Sequence, residues 1–139
     1  MSRGEVRPAV MAHWVGSIAV PMSEYETINV RYIDGVAVVN FQDSAAMLEA
    51  DRAQAVGAEL MDLIASRKEP RILLNLANAH FISSAMLAHL VKLHRKVQES
   101  RGRIRLCGLR PVIQDAFKVS HFDRIFEIFA DEASALRKF

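Results

Sequence analysis

The sequence predicts an α/β fold: a mixed β-sheet opened by an antiparallel hairpin, with helices covering one face. Three observations predict it. Two apolar runs flank Asp34-Gly35; the run Ile72-Leu73-Leu74-Asn75-Leu76 is apolar on both faces; and stretches with helical spacing separate the later apolar runs. An Asp-Gly pair between alternating runs marks a hairpin, a doubly apolar strand belongs in the middle of a parallel sheet, and parallel neighbours require helical crossovers.

The organised part begins at Thr27, where Ile28, Val30 and Tyr32 alternate with Asn29 and Arg31, and Val36-Ala37-Val38-Val39-Asn40-Phe41 forms the returning strand. Asp43 and Ser44 offer caps to a first helix running to about Ser66, whose apolar positions Ala53, Val56, Leu60, Leu63 and Ile64 recur every three or four residues. Pro70 ends the connection into the central strand at 72–76. Ser83 and Ser84 then open a second helix with the stripe Leu87, Leu90, Val91, His94 and Val97, closed by Ser100 to Gly102. Arg103 to Cys107 reads as the next strand. Pro111 suits the first position of a third helix containing Val112, Ile113, Ala116 and Phe117, and a short strand at 125–129 precedes a last helix from Asp131. No internal repeat or low-complexity segment interrupts this order.

With 139 residues, 51% of them hydrophobic, the chain supports one domain that buries roughly two thirds of its unfolded surface. We read it as residues 27–139, preceded by an arm at 1–26 that is loosely attached or reflects a misassigned start, since Met11 and Met22 are alternative initiators. Residues 9–22 are broken by His13, Gly16, Ser17 and Pro21, so no membrane span is expected, and Arg3 and Arg7 precede too weak an apolar region for a signal peptide. Cys107 is the only cysteine, which excludes an intrachain disulfide and a multi-cysteine zinc site. A cytoplasmic location fits.

Chemistry concentrates at Asn75-Leu76-Ala77-Asn78-Ala79-His80-Phe81-Ile82-Ser83-Ser84-Ala85-Met86-Leu87, a strand that breaks into two serines at a helix start. Backbone N–H groups there lack intrahelical partners and the helix dipole is positive, so a serine caps the helix and a phosphate on it is well tolerated. Phe81, Ile82 and Leu87 read as core flanking the turn, and Met86 as core filler or an adaptable contact. His80, His89 and His94 lie near the serines, but His89 and His94 are five apart, and neither HExxH nor Gly-x-Ser-x-Gly occurs. We therefore expect no enzyme, no metal, no cofactor and no catalytic residue.

In this order of elements, Asn75-Leu76, Phe81-Ile82-Ser83-Ser84-Ala85-Met86-Leu87, Gly102 to Leu106 and Ile125-Phe126 resemble the STAS domain, the fold of bacterial anti-sigma factor antagonists. The resemblance covers roughly Thr27 to Phe139. It implies a signalling protein in transcription regulation that works by partner switching: the unmodified form binds an anti-sigma factor of serine-kinase type, and phosphorylation of Ser84, with Ser83 as the backup acceptor, disfavours that complex. It also implies a partner surface comprising Ser83, Ser84, Ala85, Met86 and His89. Asn75 and Ser83 stand where the family usually has aspartates, and Met86 where it usually has glycine, which removes two acidic charges and a close-approach position. The alternative is a STAS module that scaffolds a signalling assembly without being phosphorylated, its serines serving only as caps.

Nucleic acid is the other class weighed. Lys92, Arg95, Lys96, Arg101, Arg103, Arg105 and Arg110 form a basic segment, yet no aromatic residue lies between Phe81 and Phe117 to stack on bases, and the net charge is only +2. A solvated face is the simpler reading. The sequence leaves the oligomeric state open.

Overall fold

The computed structural model describes residues 25–42 and 47–139, with 47–48 and 50–51 as backbone alone, and the backbone of 12–15 and 18–21. Asp43 and Ser44, read as caps, lie outside the described residues, as does most of the arm. Within the arm, β1 (Ala12–Val15) and β2 (Ile18–Pro21) form an antiparallel ladder.

Among the described residues, the main sheet contains five strands. β3 (Ile28–Ile33) and β4 (Val36–Phe41) form the expected antiparallel hairpin; β6 (Arg71–Asn75), β8 (Arg103–Cys107) and β9 (Glu127–Phe129) extend it in the order β3-β4-β6-β8-β9, each parallel to its neighbour from β4 onward. At the hairpin turn, Asp34 and Gly35 both take positive φ, 50° and 82°, as a primed turn demands. The Arg71 guanidinium lies against Gly35, so a side chain there would have to displace it. A separate pair, β5 (Met47–Leu48) and β7 (Phe81–Ile82), is also parallel.

Helices α1 (Ala50–Ala65), α2 (Ser84–Glu99) and α3 (Pro111–Val119) share one core with the sheet. The first helix starts at Ala50 rather than near Asp43, because Met47 and Leu48 are drawn into β5, and its cap residue Glu49 makes no side-chain cap bond. On α2 the buried stripe is Met86, Leu90, Leu93 and Val97. Leu90 and Val97 belong to it as predicted and Met86 is core, whereas Leu87, Val91 and His94 flank it, half-buried. β9 is shorter than the run 125–129, since Phe126 N–H bonds the Phe122 carbonyl at the end of a 3-10 turn (Phe122–Arg124), and its ring packs against Phe117 and His94.

The opposite face has its own small cluster. Val36, Val38, Leu73 and Cys107 meet Ala135 of α4 (Glu132–Leu136), a short helix capped by Asp131, whose side chain accepts from Ser134 N–H. Alternation along β6 sends Ile72 and Leu74 to the three-helix side and Leu73 to the α4 side. Three helices thus cover one face, as predicted, while the last covers part of the other.

Candidate functional site

The loop between β6 and β7 leads through β7 to the serines, and several contacts pin it. Leu76 and Ala79 are fully buried, and Leu76 N–H donates to the Cys107 carbonyl at 2.9 Å. Asn78 Nδ2 donates to the Phe41 carbonyl at 2.8 Å, tying the loop to the end of β4, and Arg110 Nε donates to the Ala77 carbonyl at 2.9 Å. Backbone groups satisfied in this way leave little freedom at the entry to α2.

At that entry the serines divide their roles. Ser83 is the cap: its backbone is extended (φ −84°, ψ 163°), and its Oγ accepts from Met86 N–H at 3.1 Å. Ser84 is the first helical residue and is exposed. No acidic side chain occupies the first turn of α2, so its positive end is not neutralised from within the helix.

The remaining predicted site residues scatter. Ala85 is half-buried against the core. Met86 is fully buried, so it is core and offers no surface to a partner. The position where the family has glycine is here an interior position filled by a thioether side chain. His89 is half-buried over Gly57 of α1, where an added Cβ would fall 2.7 Å from His89 Nδ1, so it packs between helices rather than facing the serines. His94 stacks edge-on against Phe126, and burial lowers its pKa. Among the described residues, no three His, Cys, Asp or Glu side chains are grouped to hold a metal ion.

Asn75 lies on the other side of the sheet from α2. Its Oδ1 accepts from Ala77 N–H at 2.9 Å and its Nδ2 donates to Glu132 Oε2 at 2.6 Å; the same carboxylate pairs with Arg31. An aspartate here would face Glu132 at hydrogen-bond distance with no proton to share, which is a physical reason for the amide.

An apolar groove beside the serines was not predicted. Phe81, Ile82 and Leu87 from β7 and α2, with Val112, Ala116 and Val119 from α3, line an open cleft of about 400 Å³. Of the three read as core, only Ile82 is buried; Phe81 is 39% exposed because the two residues of β7 point to opposite sides. Val119 is 81% exposed. A sequence signal existed: Val112 and Val119 sit off the Ile113–Phe117 stripe of α3, apolar where polar residues were due.

The basic segment does not form one surface. Arg105 is buried: its guanidinium binds Glu127 and the carbonyls of Ala135, Arg137 and Lys138, between the rings of Phe129 and Phe139. Among the described residues, no helix is long and apolar enough to cross a membrane.

Comparison with known proteins agrees with this architecture. A candidate anti-sigma factor antagonist of Bordetella bronchiseptica, BtrV, is 27% identical over 107 residues, covering 77% of this chain and 89% of that protein. The structure of an anti-sigma factor antagonist (STAS) domain protein from Planctomyces limnophilus superposes with a TM-score of 0.72 at 20% identity, over 78% of this chain and 93% of the other. The Bacillus cell fate determinant SpoIIAA in its phosphorylated form gives a TM-score of 0.58 at 16% identity, over 79% and 97%. These two structural likenesses establish the fold. The STAS domain profile matches residues 27–135, most of the chain, and the protein belongs to the STAS domain family.

Proposed function

We propose that this protein is an anti-sigma factor antagonist that binds an anti-sigma factor of serine-kinase type through the start of α2, and that phosphorylation of Ser84 switches it off. The observation that carries the reading is the division of labour between the serines. With Ser83 filling the cap, the exposed Ser84 hydroxyl sits in the first turn, where a phosphate meets the positive end of the helix. Added charge of about −1.5 to −2 then leaves the fold intact and acts on the partner, by repulsion and desolvation. The cleft lined by Phe81, Leu87, Val112 and Val119 adds apolar contact area next to the charge-sensitive point. The names of BtrV and of the Planctomyces limnophilus domain protein, and the phosphorylated form of SpoIIAA, support the same reading.

The test joins two measurements. Phosphate occupancy on the peptide carrying Ser83 and Ser84, measured by mass spectrometry from growing and stressed host cells, is expected to change with condition and to map to Ser84. Ser84→Asp is expected to keep its circular dichroism and thermal midpoint while losing the anti-sigma factor in a pull-down. An intact complex with Ser84→Asp, or no phosphate under any condition, would replace the switch with the scaffold reading.

A further inference from the structure

The end of the sheet opposite the serines carries a second charged surface. Three loops meet there: the β3–β4 turn, the α1–β6 connection and the α2–β8 connection. Gly35, Arg67, Lys68, Glu69, Arg71, Arg101, Gly102, Arg103 and Phe139 line an open depression of about 580 Å³. Five of these residues are cationic and one is acidic. α2, 16 residues long, separates this surface from Ser84 by roughly 24 Å.

Two of the guanidinium groups are fixed without being neutralised. Arg67 donates to the Gly35 carbonyl at 2.7 Å and lies over the Tyr32 ring, and its Nε is buried with no hydrogen-bond partner. Arg71 donates to the Asp34 carbonyl at 2.9 Å. Carbonyl oxygens hold a guanidinium in place while leaving most of its charge to act outward. Lys68 and Arg101 are exposed, and Arg103 reaches only a distant carboxylate, Glu127 at 3.7 Å.

Arg101 is the informative residue. It sits just past the end of α2 with φ 58°, the left-handed position that glycine fills at least cost. The adjacent glycine, Gly102, is required by close approach instead, because a Cβ there would strike the Pro70 carbonyl. Its charge complements the negative carbonyl end of α2, yet glycine would close the helix at less backbone cost, and the arginine side chain is left exposed.

We infer that this end of the sheet is a docking surface for a carboxylate-rich segment of a partner protein, separate from the serine site and open when Ser84 carries phosphate. Spread carboxylates suit it better than a compact phosphate. The C-terminal ends of α1 and α2, with their negative carbonyls, point towards it and oppose any anion, most strongly one whose charge is concentrated at a single point, whereas carboxylates spread along a chain meet the cations one at a time along an open rim.

The experiment uses the full chain and a fluorescein-labelled ten-residue glutamate peptide, with a single-stranded oligonucleotide and pyrophosphate as competing probes. Amide NMR shifts from the peptide are expected at 34–35, 67–71 and 101–103. Lys68→Gln with Arg101→Gly is expected to weaken peptide binding at least tenfold with no fall in thermal midpoint, whereas Lys92→Gln with Arg95→Gln, on the outer face of α2, changes it less than twofold. Ser84→Asp is expected to bind the peptide as the parent does. Equal losses from both double variants, shifts spread over the surface, or tighter binding of the oligonucleotide or pyrophosphate at these residues would overturn the inference.

Discussion

On the three-helix face of the sheet, Val39, Ile72, Leu74 and Leu106 share a continuous apolar core with Met86, Leu90, Leu93 and Val97, whereas the α4 face is closed by a few residues around one buried arginine. The first face is held by area removed from water, a force that does not depend on angle. The second is held by directed bonds: Arg105 to the carbonyls at the end of α4, and Glu132 to Asn75 and Arg31. Ser83 and Ser84 start a helix that packs on the first face.

Two substitutions of similar cost separate these forces. Met86→Ala removes buried volume and is expected to lose about 2–5 kcal/mol. Arg105→Ala leaves three carbonyls without their donor and Glu127 with only the distant Arg103, and is expected to lose about 3 kcal/mol. The consequences differ in kind. Cys107 lies fully buried under α4, so Arg105→Ala should speed its alkylation by a local opening with little denaturant dependence, while Met86→Ala should expose it only through global unfolding. Identical denaturant dependence of labelling in the two variants would show that the faces open as one unit.

Asn75→Asp sharpens the comparison on the polar face. Placing a second carboxylate beside Glu132 is expected to cost about 1–3 kcal/mol at neutral pH. One of the pair then holds its proton to a higher pH in the folded state than in the unfolded state. The folded state binds more protons in that window, so the deficit is absent below about pH 4 and grows as pH rises. Urea midpoints against pH would show this slope in Asn75→Asp and lose it in the double variant with Glu132→Gln.

How much of this was legible depends on range. The Asp34-Gly35 turn, the serine pair at the start of α2 and the succession of helices and strands along the chain were readable because each is signalled by residues a few positions apart. Arg105 was not: its partners lie 22 to 33 positions away, and in the sequence it is one more cation in a basic run. Asn75 and Glu132 are 57 apart, so the reason for an amide at 75 appears only when α4 folds back. The shortened first helix has the same origin, since Met47 and Leu48 become a strand only by pairing with Phe81 and Ile82. Ser83 and Ser84 were legible as a helix start, but which of them caps is a matter of one position of helical phase.

Cys107 gives a smaller effect on the α4 side. Burial, with Glu132 and Asp131 nearby, pushes its thiol up from 9.0 to about 11. Between those values the unfolded chain has released a proton that the folded chain retains, so the cysteine's contribution is complete below pH 9 and is lost as pH rises towards 11. The difference between wild type and Cys107→Ala in urea midpoint, followed from pH 8 to 11, isolates this slope from other groups titrating in the range. A flat difference would mean that the thiol ionises as freely in the folded chain as in the unfolded one.

The smallest effect is a contrast between adjacent hydroxyls on the apolar face. Ser83→Ala removes the acceptor for Met86 N–H and is expected to cost about 1 kcal/mol, with faster amide exchange confined to the first turn of α2. Ser84→Ala removes an exposed hydroxyl from a position where alanine is the better helix former, and is expected to lie within about 0.5 kcal/mol of wild type. Because the two residues differ by one step in phase, the pair of measurements also bears on the switch. A serine whose removal leaves the fold unchanged can be modified without loss of a structural bond, whereas modification of Ser83 would disturb its bond from Met86 N–H. Should Ser84→Ala prove the costlier change, the cap and the acceptor would exchange places, and Ser83 would become the residue at which to look for phosphate.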